Sequence, residues 1–172
     1  MSGSSDKGKP IVMAIARIGM GWLFLWPFLD KAFGLGFTTD KDAAWIRGGH
    51  PTEGFLKFGA DSDGPLHGLF DALAGHAWVD WIFMIGLLGI GVALILGIGM
   101  RIACWSGMLL VFLMWLAVMP MDSGTDHNPF WDDHLQYASF LAVLLFFDAG
   151  QYFGLGGWWR SQPFVQKYPW LQ

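Results

Sequence analysis

The apolar residues of this sequence are gathered into four blocks, which cover 11–29, 79–98, 102–119 and 135–153. An α-helix needs roughly 20 mainly apolar residues to cross about 30 Å of hydrocarbon. Each block is close to that length, so the pattern predicts four transmembrane helices. The polar residues 1–10 lack the features of a cleaved signal peptide, and the first block is therefore expected to remain as a span.

The longest segment between the blocks, 30–78, is too long for a turn and too short for a separate domain. Glycine- and proline-containing breaks divide it. Its second half has apolar residues at the i, i+3, i+4 and i+7 spacing of a helix with one apolar face: Leu66, Leu69, Phe70 and Leu73. We predict two short interfacial or re-entrant helices in this outer loop. An ordinary surface loop is the alternative.

Composition supports a membrane protein. Of 172 residues, 54% are hydrophobic and only 14% are charged, whereas soluble domains carry about 25% charged residues. The expected fold class is all-α: an integral membrane four-helix bundle, formed as a single domain over 1–172. The lipid bilayer is its first expected partner.

The basic residues predict the orientation of the chain. Positively charged side chains are retained on the cytoplasmic side of a membrane, whereas acidic loops have little influence. With a cytoplasmic N-terminus, the inner segments hold Lys7, Lys9, Arg101, Arg160 and Lys167. We therefore expect a plasma-membrane protein with both termini cytoplasmic. The net charge is −4, and no basic patch suggests nucleic-acid binding.

Several cofactor chemistries are disfavoured. Cys104 is the only cysteine, so the chain cannot form an internal thiol pair. All five histidines lie outside the apolar blocks, where they cannot clamp a haem between spans. No nucleotide-binding fingerprint is present, and no histidine or acid spacing favours a metal site. We expect no haem, flavin or metal.

Asp80 lies at the outer end of its block, and two charged residues are expected within the hydrocarbon region itself, Arg17 and Asp148. A charge in the hydrocarbon region is costly and calls for a partner. Each lies about 9 Å from the inner end of its predicted helix, given a rise of about 1.5 Å per residue. We predict a structural ion pair between them. The alternative is that Arg17 extends to the head groups while Asp148 lies in the interface.

Polar residues also gather at the outer ends of the first and fourth predicted helices. Asp30 and Lys31 follow the first block, and Asp133, His134 and Tyr137 lie at the start of the fourth. They could line a ligand pocket with aromatic walls, suited to a quinone head or a small anion. The alternative is that the acids cap the helix and neutralise its dipole.

The same segments carry a family resemblance. They are Arg17-Ile18-Gly19 through Trp26 to Asp30-Lys31, then Ala44-Trp45-Ile46 to Gly48-Gly49-His50-Pro51-Thr52, the stretch 87–101, and Asn128-Pro129-Phe130 with Asp132-Asp133-His134. Over 17–157 the sequence resembles the DoxX family, in particular actinobacterial members related to the DoxD subunit of thiosulfate:quinone oxidoreductase.

The resemblance implies a four-helix membrane bundle and a membrane subunit of a quinone-linked oxidoreductase, with thiosulfate oxidised and electrons passed to quinone. Quinone is then the expected cofactor. The residues leave a second function open: a non-catalytic anchor or assembly partner of a redox complex, or a carrier of a small solute. Because no redox-active group is visible in the sequence, we expect a further protein subunit or self-association.

Overall fold

The computed structural model describes residues 5–59, 64, 66–119, 128 and 131–172. These residues form helices and connecting turns, and no strand occurs among them. The all-α class predicted from the sequence is confirmed for this part of the chain. The α-helices are α1 (Ser5–Phe33), α2 (His67–Leu73), α3 (Ala77–Leu96), α4 (Met100–Val118), α5 (Asp133–Phe146), α6 (Gly156–Ser161) and α7 (Pro163–Lys167).

Three of the described helices are long and apolar enough to cross a membrane: α1, α3 and α4. They have 29, 20 and 19 residues and coincide with the first three predicted spans. The fold therefore supports a membrane protein. Many large apolar side chains on these helices are exposed, as in a protein surrounded by lipid. In α3 and α4, for example, Ile82, Ile85, Trp105 and Leu109 are at least 60% exposed.

The fourth apolar helix is shorter than predicted. Helix α5 has 14 residues, which span about 21 Å. It ends at Phe146, because Asp148 adopts a left-handed backbone conformation with φ 53°. The chain then forms a 3-10 turn at Ala149–Gln151, so the residues up to 153 do not continue the helix.

The four long helices contact one another in a closed order, α1 with α3, α3 with α4, α4 with α5, and α5 with α1. Fully buried side chains fill the space between them: Met84, Leu94, Leu141 and Leu144. Glycines bring α1 and α3 together, since a β carbon on Gly91 would lie 2.8 Å from the backbone nitrogen of Leu25. This is the close approach that small residues allow between membrane helices.

The segment between α1 and α3 follows the prediction in part. The apolar positions at helical spacing do form a helix, α2, with Phe70 buried. The first half holds two 3-10 turns, Lys41–Ala43 and Trp45–Arg47, and one π-helical turn, Phe55–Gly59. Residues 60–63 and 65, within the predicted break, lie outside the described part of the chain.

Arg17 connects three parts of the fold. Its side chain is 0% exposed and donates hydrogen bonds to the carbonyls of Leu94 and Ile95, the latter at 2.7 Å. It also donates to the carbonyls of Tyr152 and Phe153, at 3.2 and 3.3 Å. The last carbonyls of a helix have no partner within the helix and form the negative end of its dipole. At the end of α3, Arg17 satisfies two of these carbonyls, those of Leu94 and Ile95.

Glycines make room for the guanidinium group. A β carbon on Gly97 would lie 3.0 Å from Nη1 of Arg17, and one on Gly154 would lie 3.0 Å from Nη2. Gly97 also has φ 74°, a conformation that favours glycine because it has no β carbon. We call Arg17 with these carbonyls and glycines the carbonyl cage.

The structure corrects the predicted ion pair. Asp148 pairs with Arg160, whose Nη1 donates to Oδ2 at 2.8 Å and whose Nη2 donates to Oδ1. Asp148 also accepts a hydrogen bond from Gln151. Arg17 is hydrogen-bonded to main-chain carbonyls instead. The prediction rested on the similar depths of Arg17 and Asp148 along their helices. However, α5 ends before Asp148, and the turn that follows directs the Asp148 carboxylate towards Arg160 of α6.

Candidate functional site

Polar side chains gather at the two opposite ends of the long helices. We call the end with Asp30, Asp80 and Asp132 the carboxylate end, and the end with Arg17, Arg101 and Arg160 the arginine end. Helices α1 and α4 finish at the carboxylate end, whereas α3 and α5 begin there, because successive long helices run in opposite directions.

Asp80, in the first turn of α3, is the centre of a polar cluster at the carboxylate end. It is 2% exposed. Its Oδ1 accepts hydrogen bonds from the backbone nitrogen of Thr52 at 3.0 Å and from the Thr52 hydroxyl at 2.6 Å. Its Oδ2 lies 2.8 Å from Nδ1 of His50. A buried acid thus fastens the 48–52 segment to α3, and its charge is favoured near the positive end of the helix dipole.

This arrangement orients the His50 ring. An ionised carboxylate only accepts hydrogen bonds, so Nδ1 donates to Asp80 and Nε2 is left as the outer ring nitrogen. The His50 side chain is 42% exposed. A carboxylate that fixes the tautomer of an accessible imidazole is an arrangement used for proton transfer. In the sequence, His50 stood out only as part of the family resemblance, and Asp80 was missed.

Asp30 holds a second loop in the same way. It is 1% exposed and accepts hydrogen bonds from the backbone nitrogens of Phe37 at 3.2 Å and Thr38 at 2.9 Å. The Thr38 hydroxyl donates to the same carboxylate at 2.6 Å. Both oxygens of Asp30 therefore accept hydrogen bonds from the chain itself and hold the 37–38 segment against α1. A ligand-binding role for Asp30 stays a prediction.

The predicted residues of α5 have separate environments. Asp132 is the N-cap, accepting a hydrogen bond from the Leu135 backbone nitrogen at 3.0 Å, and it also lies 2.5 Å from Nδ1 of His134. Asp133 is exposed. Tyr137 is partly buried against the main apolar core. The capping alternative therefore describes Asp132 correctly.

Within the described residues, no hydrogen bond or ion pair joins Asp30, Lys31, Asp133, His134 and Tyr137 to one another. Lys31 is half-buried beside Asp30. Pro129 and Phe130, which carry part of the family resemblance, lie outside the described residues. The five residues share one end of the molecule, and a pocket formed by all of them stays a prediction.

A salt bridge lies beside the His50–Asp80 pair. Lys57 donates to Glu53 at 2.7 Å, one helical turn apart. The hydrogen bond and the positive charge of Lys57 lower the pKa of the Glu53 carboxyl. In the described part of the chain, no group of three or more histidine, cysteine or acidic side chains could hold a metal ion.

An apolar cleft of about 350 Å³ lies between α3 and α4, towards the arginine end. Its walls include Gly86 and Gly89 of α3 and Ile102 and Ser106 of α4, and Trp159 of α6 lies at its end. A β carbon on either glycine would meet no atom within 4 Å, so these glycines keep the cleft open. No charged side chain lines it, and none of the five predicted ligand residues does.

Comparison of the chain with known protein families, curated proteins and solved structures finds no match. Function is therefore argued from the site itself.

The residues that sequence reasoning missed are partners of main-chain groups. Thr38 and Thr52 carry hydroxyls that reach buried acids in the neighbouring helices, and each also binds its acid through the backbone nitrogen. Their signal in the sequence is weak, because threonine is common in loops. Arg160 was predicted to lie in an inner segment, and its ion pair with Asp148 was not predicted.

We predict that Asp80→Ala releases the 48–52 segment. The mutation leaves the Thr52 backbone nitrogen and hydroxyl without their acceptor, a loss of about 1–3 kcal/mol per buried group. Hydrogen exchange of the Thr52 amide should accelerate by about tenfold or more. Asp42→Ala is the control, since the Asp42 side chain is 99% exposed. Equal exchange in both variants would contradict the anchoring role.

Proposed function

We propose that this protein is a membrane subunit of a quinone-linked oxidoreductase, and that the cleft between α3 and α4 holds the isoprenoid chain of the quinone. The cleft is the observation that carries the proposal. Its volume of about 350 Å³ lies within the usual range of ligand pockets, about 300–1,000 Å³. The resemblance to the DoxX family supports a quinone as the ligand, with thiosulfate as the electron donor.

The chemistry of the cleft suits a hydrocarbon chain. Its lining is almost wholly apolar, with the Ser106 hydroxyl as one of its few polar groups. It lies along the membrane-length parts of α3 and α4, where the surrounding medium would be lipid. An apolar chain in a bilayer can therefore enter it without crossing water. We prefer the cleft to the carboxylate end as the ligand site because both carboxylate oxygens of Asp30 already accept hydrogen bonds from Phe37 and Thr38.

The proposal includes four spans in the plasma membrane, with α5 and the turn after it as the fourth, in a four-helix bundle. Cytoplasmic termini are supported by the basic residues at the arginine end, Lys9, Arg17, Arg101, Arg160 and Lys167, against two acids in the same segments, Asp6 and Asp148. Acidic residues predominate at the opposite end. This is the asymmetry that retains a segment on the cytoplasmic side.

The proposed orientation predicts the reactivity of single cysteines on a Cys104→Ser background, in which the buried thiol no longer competes. A cysteine at Gly64 should react with a membrane-impermeant maleimide in intact cells. One at Leu171 should react only after permeabilisation. The reversed pattern would overturn the orientation.

A second candidate is a non-catalytic anchor or assembly partner. It is favoured by the same cleft, because no titratable side chain in its lining could exchange a proton with a quinone. Under either function, electron transfer requires a further subunit. Under the second, the cleft holds a membrane lipid, and the protein co-purifies with a redox enzyme but without quinone.

Gly89→Leu is predicted to reduce quinone binding by filling the cleft. The new side chain meets no atom within 4 Å of its β carbon, so the fold should tolerate it. Protein purified in mild detergent would be extracted and its bound quinone measured by mass spectrometry. We expect at least a tenfold lower quinone content than in the parent.

Gly19→Leu is the matched control, because Gly19 lies on a membrane-length helix, also has open space around it, and does not line the cleft. It should retain quinone at the parental level. Quinone retained by both variants would place the binding site elsewhere. A parent without quinone, but with a co-purifying redox enzyme, would favour the anchor function.

A further inference from the structure

The C-terminal residues 156–172, which we call the C-terminal cap, fold firmly across the arginine end. The backbone nitrogen of Arg101 donates to the Gln172 carbonyl at 2.8 Å, and the Arg101 side chain donates to the Pro169 carbonyl at 3.1 Å. The indole nitrogen of Trp159 donates to the Leu171 carbonyl at 2.6 Å. Val165 is 0% exposed. The cap is therefore a packed part of the fold.

The outer surface of the cap is rich in aromatic side chains. The exposed fraction is 58% for Trp158, 48% for Phe164, 45% for Tyr168 and 61% for Trp170. Tryptophan and tyrosine concentrate at membrane interfaces, where an apolar ring can enter lipid while its polar edge meets head groups. Such a surface at the end of membrane-length helices fits the head-group layer better than water.

The charges of this surface are unbalanced. Arg160 is neutralised by Asp148, the one acid among residues 146–172. Lys9, Arg101 and Lys167 remain exposed. The Nζ atom of Lys9 lies 5.7 Å from the ring centroid of Phe147, and that of Lys167 lies 5.4 Å from the ring centroid of Tyr168. Lys9 and Lys167 are thus held beside aromatic rings. Among the side chains that the structure describes, no ion pair joins Lys9, Arg101 or Lys167 to a carboxylate.

We infer that the arginine end is a binding surface for anionic phospholipids, with Lys9, Arg101 and Lys167 contacting the phosphate groups and the cap aromatics lying among the glycerol and upper acyl groups. The partner follows from charge complementarity combined with aromatic exposure, because a soluble anion would use the cations but gain nothing from the rings. Each basic residue near an anionic membrane surface strengthens binding by about fivefold. The inference is independent of quinone binding.

The test compares lipids that differ only in head-group charge. The full chain in a nonionic detergent is titrated with dioleoyl phosphatidylglycerol or dioleoyl phosphatidylcholine, and bound lipid is quantified by native mass spectrometry. We expect the parent to prefer phosphatidylglycerol. The double variant Lys9→Gln/Lys167→Gln should lose about 25-fold of that preference. Its effect on folding should be small, because neither lysine donates a hydrogen bond to a group that the structure describes.

Arg47→Gln/Lys57→Gln is the control, since it removes the same charge from the opposite end of the molecule. Arg101 provides a second test, in which Arg101→Lys should retain the preference and Arg101→Gln should weaken it by about fivefold. Equal binding of the two lipids by the parent would overturn the inference. So would an equal loss in the lysine variant and the control, which would indicate a general charge effect. If glycerol phosphate displaced bound phosphatidylglycerol as strongly as free phosphatidylglycerol does, the site would be one for soluble anions instead.

Discussion

A buried arginine whose charge is stabilised by hydrogen bonds to backbone carbonyls is the constraint on which the arrangement of the helices depends. In a medium of low dielectric, an unpaired charge is costly. Arg17 meets this requirement by donating to the end of α3 and to the turn after α5. One side chain thereby fixes the depth of α1 against two other elements. The glycines at 97 and 154 are needed because a β carbon at either position would crowd the guanidinium.

At the carboxylate end the buried charges are negative, and main-chain groups again stabilise them. Asp30 and Asp80 are buried anions, and each is bound by a threonine through both its backbone nitrogen and its hydroxyl. Main-chain groups thus compensate the buried charges at both ends: carbonyls for the cation and amides for the anions. The consequence for function is that these residues set the shape of the helix ends, while the apolar cleft and the exposed cations remain available to ligands.

The sequence predicted what depends on local composition. Long apolar blocks identified α1, α3 and α4, and the spacing of Leu66, Leu69, Phe70 and Leu73 identified α2. Contacts between distant segments could not be read in this way. Arg17 and Asp148 were expected to meet because they lie at similar depths along their predicted helices. The depth of a residue does not determine which way its side chain faces, and it does not show where α5 ends. Every residue has a backbone carbonyl, so no sequence pattern distinguishes the carbonyls that bind Arg17.

The central claim is tested most directly by a double-mutant cycle on Arg17 and Asp148, with the free energy of unfolding measured in detergent. Arg17→Met should be strongly destabilising, because each buried carbonyl left without a donor costs about 1–3 kcal/mol. Asp148→Asn should cost no more than about 1 kcal/mol, since its pair with Arg160 is partly exposed. The two effects should add within about 0.5 kcal/mol. A double variant markedly more stable than this sum predicts would mean that Arg17 is neutralised by Asp148, and would contradict the carbonyl cage.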